Sequence, residues 1–586
     1  MDQVIKLRAR QFVRKFTTKE GLLGDYDYKF LFTPTIPFMK QEKPIQPFFG
    51  LNSDMPVFLG FILGLQHSLA MLAGVITPPI LIANFANFES HQQQYLVSTS
   101  LIVSGFLSMI QITRFHIFGT PYYLGSGMLS VVGTSFGCIV VVAKVLPMMY
   151  TAGYCPVAED GTHLPCPDGY GSILATSCVC GLLELGMSFI PARKLRKIFP
   201  ATVTGTVVLL MGVSLIASGF EDWLGGSGCI DSICPSATGP KAAPYGSAQF
   251  IGLGFLVYST IILAEKFGSP IMKSCSVILG LLVGCIVAAA CGYFDNSGIK
   301  SANTISFIWV ETFKLRIYGP AVLPFLIVYI VLVMETIGDL TATAEVSRLP
   351  LDESRIQGGL TADAFNSIIA GLMTITPMST FAQNNGVISI TKCANRTAGY
   401  WCCFILIVMG IFTKFAAALV AIPKPVLGGA TSFLFTAVAV SGVKILSTTQ
   451  FNRRDRFVLT AALLPGFGAI LVPSWFSNFF TYGGKNTALI GFLDAITVIM
   501  ESSYALGGII ATFLNWLLPE DFDDSTEDQF EGDMNAGRSM DVDALPMDDM
   551  VRQYDDFERG VDATVKAKQS NNLISPELST VASKSS

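Results

Sequence analysis

Apolar stretches long enough to be read as membrane segments alternate along the chain with short polar connections. They fall near 55–80, 94–111, 122–149, 173–190, 201–219, 249–265, 274–292, 318–338, 361–373, 385–394, 399–421, 425–442, 457–472 and 490–518. A helix needs about 20 mostly apolar residues to cross a hydrocarbon core, and stretches such as Ala321 to Met334 carry no charge at all. The pattern predicts an all-α polytopic membrane protein with 14 transmembrane segments. Two of the segments are poor as continuous helices. TPYYLGSGMLSVVGTSFG, from Thr120, and TPMSTFAQNNGVISITK, from Thr376, each begin Thr-Pro, run through small and polar residues, and turn helical only after a glycine. Such broken spans expose backbone groups that must face protein or a solvated cavity. Their matching places in the two halves of the chain predict two inverted repeats of seven, with extended strands leading into half-helices near the membrane middle. The binding site is expected where the two strands meet.

The basic residues orient the segments. Arg193, Lys194, Arg196 and Lys197 follow the fourth run, Lys266 and Lys273 flank the turn after the sixth, Lys392 and Arg396 follow the tenth, and Arg453, Arg454 and Arg456 precede the thirteenth. With both termini cytosolic, all lie on the inner side, as the positive-inside bias requires. Two polar loops then face outward, one with Cys155 and Cys166, the other with Cys229 and Cys234, and each pair is a candidate disulfide. Asn395-Arg396-Thr397 is a glycosylation sequon that this topology leaves cytosolic and unused.

Composition narrows the classes. Of 586 residues, 51% are hydrophobic and 14% charged, against about 25% charged in globular proteins, which excludes a soluble protein of this length. The net charge of -5 comes from the C-terminal tail, where Glu520 to Asp562 reads as disordered and cytosolic. Residues 1 to 50 are mixed and charged, without the usual form of a signal peptide. Nothing suggests a nucleic-acid surface, and none of the 13 cysteines combines with histidines at metal spacing. Cys178, Cys180, Cys275, Cys285, Cys291, Cys402 and Cys403 lie in apolar runs and read as small packing residues.

The candidate chemistry is a set of polar groups in otherwise apolar surroundings. Glu335 and Asp339, in METIGD, stand one helical turn apart on one face. Asp363 adds a third acid in LTADAF. Carboxylates at such depth are costly unless paired or solvated, so they are candidate substrate ligands and proton carriers. Phe381-Ala382-Gln383-Asn384-Asn385-Gly386 follows the second break. A glutamine amide offers an acceptor and donors to the edge of a planar lactam, and Phe381 can cover a ring face. Each type also has an ordinary use, since amides cap turns and phenylalanines pack. Gln66-His67 interrupts the first run, where a hydrogen bond between helices is as consistent as a proton switch. These residues alone point to a transporter for a small polar molecule.

QNNGVISITK, Gln383 to Lys392, together with Gln66-His67, METIGD and the two Thr-Pro segments, closely resembles the nucleobase-ascorbate transporter (nucleobase-cation symporter-2) family over roughly residues 25 to 520. The resemblance implies a core domain from 54–190 and 318–421, a gate domain from 191–317 and 422–518, and cytosolic tails at 1–53 and 519–586. It implies a homodimer in the plasma membrane that imports xanthine and uric acid by an elevator-like movement, with protons as coupling ion and no cofactor or metal. Glu335 and Gln383 would be the principal purine ligands. Phe136 and Ala382 would add polar backbone contacts, Phe381 would govern specificity, and Asp363 would serve binding or proton coupling. Asp339, Asn384, Gln66, His67, Gly386, Thr391 and Lys392 would support the site. Gln383 favours a purine over the ascorbate branch, while uracil or a broader nucleobase range is a closer alternative and a non-transporting membrane receptor a remote one. Asp25-Tyr26-Asp27-Tyr28 is similar to the family's export signal, which implies contacts of the tails with export and endocytic machinery, besides those of the helices with lipid.

Overall fold

The computed structural model describes residues 15–519 except 16, 25, 35–47, 160, 227–232, 235–241, 351, 382, 474, 477 and 481–486. Each of the fourteen apolar runs contains helix: α1 (Val57–Phe85), α2 (Ser90–Ile112), α3 (Phe136–Thr151), α4 (Pro167–Ser188), α5 (Ala201–Trp223), α6 (Ala248–Phe267), α7 (Ser276–Ala290), α8 (Gly319–Val346), α9 (Glu353–Leu372), α10 (Gln383–Thr391), α11 (Arg396–Ile411), α12 (Lys424–Leu446), α13 (Arg453–Leu471), and α14 (Thr487–Glu501) followed by α15 (Ser503–Leu517). Seven of them, α1, α2, α4, α5, α6, α8 and α12, are long and apolar enough to cross a membrane, and α14 with α15 gives an eighth that bends by 88°. The chain is thus a mostly helical multi-pass membrane protein. The other runs fall short for readable reasons. α7 and α11 have only 15 and 16 residues, α13 opens on Arg453, Arg454, Asp455 and Arg456, and α3 and α10 are preceded by extended chain.

Those extended segments form the centre of the fold. β1 (Val132–Thr134) pairs antiparallel with β2 (Met378–Thr380), Val132 opposite Thr380 and Thr134 opposite Met378. The ladder continues at both ends, where Ser135 N donates to Pro377 O and Phe381 N to Val131 O, each at 2.9 Å. All six strand residues are buried, so their remaining backbone groups need partners inside the protein. α2 supplies several: Ser104 Oγ donates to Val132 O, and Val132 N donates to Ser108 Oγ at 2.9 Å. Thr134 Oγ1 donates to Val75 O of α1 at 2.9 Å.

Around this ribbon, α1, α2 and α11 pack together and α4 lies along α8 and α9, while α5 makes its most extensive packing with α12, and α13 with α15. The α5–α12 contact is backbone on backbone. A Cβ on Gly212 would sit 2.3 Å from Ala439 N, and one on Gly442 2.4 Å from Leu209 N. Small residues that let helices close in this way replace the hydrophobic drive that lipid does not provide.

The polar edges are tied down as well. Cys155 and Cys166 form a disulfide. Cys234 is also disulfide-bonded, and Cys229 lies outside the described residues. The sequon residue Asn395 is buried; its amide donates to Ser53 O at 2.6 Å and Gly50 O at 3.2 Å, and it caps α11 by accepting from Thr397 N. It is closed to glycosylation whatever its side of the membrane. Tyr26 and Tyr28 pack against Phe49 and Phe58, which tethers this stretch of the N-terminal segment to the helices. Asp25 and residues 520–586, the bulk of the acidic tail, lie outside the described residues.

Candidate functional site

Glu335 and Asp339 face the same side of α8, and both are half-buried while their neighbours Met334, Thr336, Ile337 and Leu340 are buried. Among the described residues neither carboxylate has a hydrogen-bond or ion-pair partner. Gln383, the first residue of α10, is half-buried in the same way, and its amide is likewise unpartnered among the described residues. α8 packs against both β2 and α10. Asn385 fixes that approach, since Thr343 Oγ1 of α8 donates to Asn385 Oδ1 at 2.8 Å. Unsatisfied amide and carboxylate groups that keep access to solvent inside a membrane protein are what a polar ligand requires.

Asp363 is placed differently. It is fully buried on α9, and its carboxylate accepts from Thr336 Oγ1, from Thr380 N at 3.3 Å and from Thr380 Oγ1 at 3.1 Å. Gln111 Nε2 of α2 donates to Thr380 Oγ1 at 3.1 Å. Asp363 therefore clamps β2 to α8 and α9, and in this conformation it has no free edge for a substrate.

Phe381 and Phe136 stack with ring centroids 6.1 Å apart and planes 14° from parallel. Phe435 of α12 meets Phe136 edge-on at 5.9 Å. The Phe381 ring lies over two glycines, so that a Cβ on Gly133 would come within 2.5 Å of it and one on Gly74 within 2.9 Å. Ala382 lies outside the described residues.

The supporting residues divide. Asn384 and His67 are buried and face each other, but neither the ring nitrogens nor the amide atoms reach hydrogen-bond geometry. Gln66 turns away from this cluster; its amide donates to Ser274 Oγ at 2.7 Å and Pro270 O at 3.2 Å, in the short helix Pro270–Ser274. Gly386 is exposed. Thr391 bonds only its own helix, at Val387 O. Lys392 is exposed, in a left-handed turn with φ of 57°, and its carbonyl accepts from Phe49 N. At about 1.5 Å per residue, Thr391 and Lys392 lie about 12 Å or more along α10 from Gln383, so they anchor the far end of the motif and not the ligand edge. Sequence reasoning overlooked Asn385, Thr336, Thr380, Gln111 and Phe435. Asn385, Thr336 and Thr380 had a signal, since they lie inside the amide cluster, METIGD and the second Thr-Pro segment, whereas Gln111 and Phe435 had none.

Comparison with known proteins identifies the family. A family model described as the Permease family, Xan_ur_permease, matches residues 60–475. The chain belongs to the nucleobase-ascorbate transporter family. This transporter is 57% identical over 545 residues to a purine permease of Emericella nidulans, covering 90% of the chain and 94% of that relative. It is 56% identical over 528 residues to the uric acid-xanthine permease of the same organism, covering 89% and 92%. The xanthine permease XanQ of Escherichia coli is 31% identical over 479 residues, covering 80% and 93%. As a permease the protein is a carrier and not an enzyme.

Proposed function

We propose that the transporter imports xanthine and uric acid together with protons. The observation that carries this reading is that the Gln383 amide and the Glu335 carboxylate, both unpartnered among the described residues, lie on α10 and α8, two helices that pack together beside the β1–β2 ribbon. A purine-dione edge carries both N–H donors and carbonyl acceptors. Gln383 can satisfy one of each, whereas an ionised Glu335 only accepts. The stacked Phe381 and Phe136 offer apolar surface for the ring, with Asp339, Asn384 and His67 as supporting polar groups. The relatives, a purine permease and a uric acid-xanthine permease at 57% and 56% identity, support oxidised purines over uracil. Glu335 and Asp339, acids without partners inside a long apolar helix, support protons as the coupling ion.

In this reading the chain has 14 spans in two inverted repeats of seven. The core (54–190 and 318–421) carries the site past a gate (191–317 and 422–518) that also makes the homodimer contact, and both termini are cytosolic in the plasma membrane. Polar contacts between the two groups, such as Gln66 with Ser274 and Lys144 with Glu501 at 4.0 Å, would then have to break when the core moves. The test is uptake of labelled xanthine in cells lacking other purine carriers. Saturable uptake displaced by uric acid and poorly by uracil is expected. Uptake displaced by uracil as well as by uric acid would favour the broader nucleobase reading, and no uptake from a surface-expressed protein would end the xanthine one.

A further inference from the structure

One buried acid has no part in the site described above. Glu184 lies on α4, fully buried, and neither of its carboxylate oxygens has a hydrogen-bond partner. Among the described residues no cation pairs with it. Its position follows from the packing of α4 on α9. Cys178 Sγ donates to Ile368 O, and ten residues on, Ser188 Oγ accepts from Thr361 Oγ1. Glu184 stands between these contacts, against Ser367 and Asp363. The other titratable groups near it are Tyr329 of α8, whose hydroxyl is also buried and unpartnered, and Cys138 of α3, with Glu335 beyond Cys138. None of them is a cation. An unpaired carboxylate in such a place, next to a second carboxylate, is costly as an anion. Asp363, with three donors around it, is arranged to be the anion.

Ser367 lies at the same α4–α9 interface. It lies one turn from Asp363 on α9, and its hydroxyl donates to Met378 O of β2 at 2.7 Å. We propose that Glu184 is a proton-carrying side chain of this transporter, exchanging its proton with Asp363 through the Ser367 hydroxyl. In the transfer Glu184 gives its proton to Ser367 Oγ. Ser367 turns its own hydrogen from Met378 O to Asp363, so that Glu184 ends as the carboxylate and Asp363 as the neutral acid. Ser367 is unchanged, and one proton has moved. With the proton on Glu184, anionic Asp363 holds Thr336 and Thr380 tightly. With the proton on Asp363, that hold and the Ser367–Met378 bond both weaken. The proton's place thus sets the grip on the strand that leads into Phe381 and Gln383. This inference rests on the symport reading given above.

The test uses the purified full chain in proteoliposomes and three measurements with labelled xanthine: equilibrium binding, xanthine–xanthine exchange, and accumulation under an inward pH gradient. One proton per substrate gives about tenfold accumulation per pH unit. Glu184→Gln keeps the shape of the neutral acid, and is expected to bind and exchange xanthine but to lose accumulation; Glu184→Asp is expected to recover part of it. Accumulation by Glu184→Gln equal to that of wild type would overturn the proposal. Loss of binding in both variants would also overturn it, by making Glu184 a packing residue. A wild-type protein that exchanges xanthine yet never accumulates it would instead sink the symport reading, and the proton role with it.

Discussion

Removing the Asp363 carboxylate should loosen the strand that positions the ligand edge, and the loss can be sized from the bonds it makes. Asp363→Ala strips the acceptor from Thr336 Oγ1, Thr380 N and Thr380 Oγ1. Thr336 can turn its hydroxyl to a carbonyl in the preceding turn of its own helix, and Thr380 Oγ1 keeps the bond it receives from Gln111. The Thr380 N–H has no such escape, because it points away from β1. A buried donor left unmet costs about 1–3 kcal/mol, so the minimum is one such penalty, and the loss of all three bonds sets an upper bound of about 9 kcal/mol. Asp363→Asn can keep one oxygen for Thr336 Oγ1 and Thr380 N but sets an NH2 group where Thr380 Oγ1 now donates, so it loses that bond as well as the charge assistance, which roughly halves the bonds that remain. Stability is therefore expected to fall in the order wild type, Asn, Ala, read as the thermal midpoint of the detergent-purified protein by size-exclusion chromatography. If even about 1.4 kcal/mol of the loss appears as disorder at Phe381 and Gln383, xanthine binding weakens about tenfold. An Ala variant as thermostable as wild type, with unchanged affinity, would refute the clamp.

Other perturbations follow from the same geometry. Gln383→Glu removes the amide donors but not the length, and is expected to weaken xanthine binding by about 1–3 kcal/mol and reorder purine analogues in competition assays, whereas Glu335→Gln should cut uptake by more than its loss of binding explains. Gly133→Ala places a methyl where the Phe381 ring now lies, so analogue ranking should change while surface expression persists; an unchanged ranking would show that Phe381 has no part in selectivity. Cys155→Ser opens the loop closed onto Cys166, 11 residues away, with an expected stability loss of up to about 3 kcal/mol, measurable as a lower thermal midpoint that wild type reproduces under reductant.

What could be read from the chain was what local pattern carries. Two Thr-Pro segments rich in small polar residues announced interrupted spans, and they are the strands that meet. Glu335, Asp339 and Gln383 stand out because they are polar in apolar surroundings, and among the described residues their side chains have no partners. The rest depends on contacts between distant parts of the chain. Asp363 was expected to serve the ligand or the proton directly, and its role as a clamp became visible only with Thr380 beside it. Asn384 is expected to support the site and Asn385 is given no role, yet adjacent residues on a helix face different neighbours: the first faces His67 and the second holds α8. Gln66 reads as part of the core until Ser274, 208 residues away, is seen to accept from it. Glu184 drew no notice in LLELG, where a single acid in an apolar run gives no hint that Ser367 and Asp363 lie across from it. Charge counting at helix ends likewise does not reveal that seven helices among the described residues meet the length and apolarity needed for unbroken spans, since the chain enters α3 and α10 as strand.

The central claim, that this carrier moves an oxidised purine with protons, is tested most directly by one measurement. Purified protein is reconstituted in vesicles, and entry of labelled xanthine is followed with an inward proton gradient and again after an uncoupler has collapsed it. The account predicts accumulation above the outside concentration that an excess of uric acid blocks and the uncoupler abolishes. Xanthine entry that is the same with and without the gradient and the membrane potential, from protein shown to bind xanthine, would contradict it.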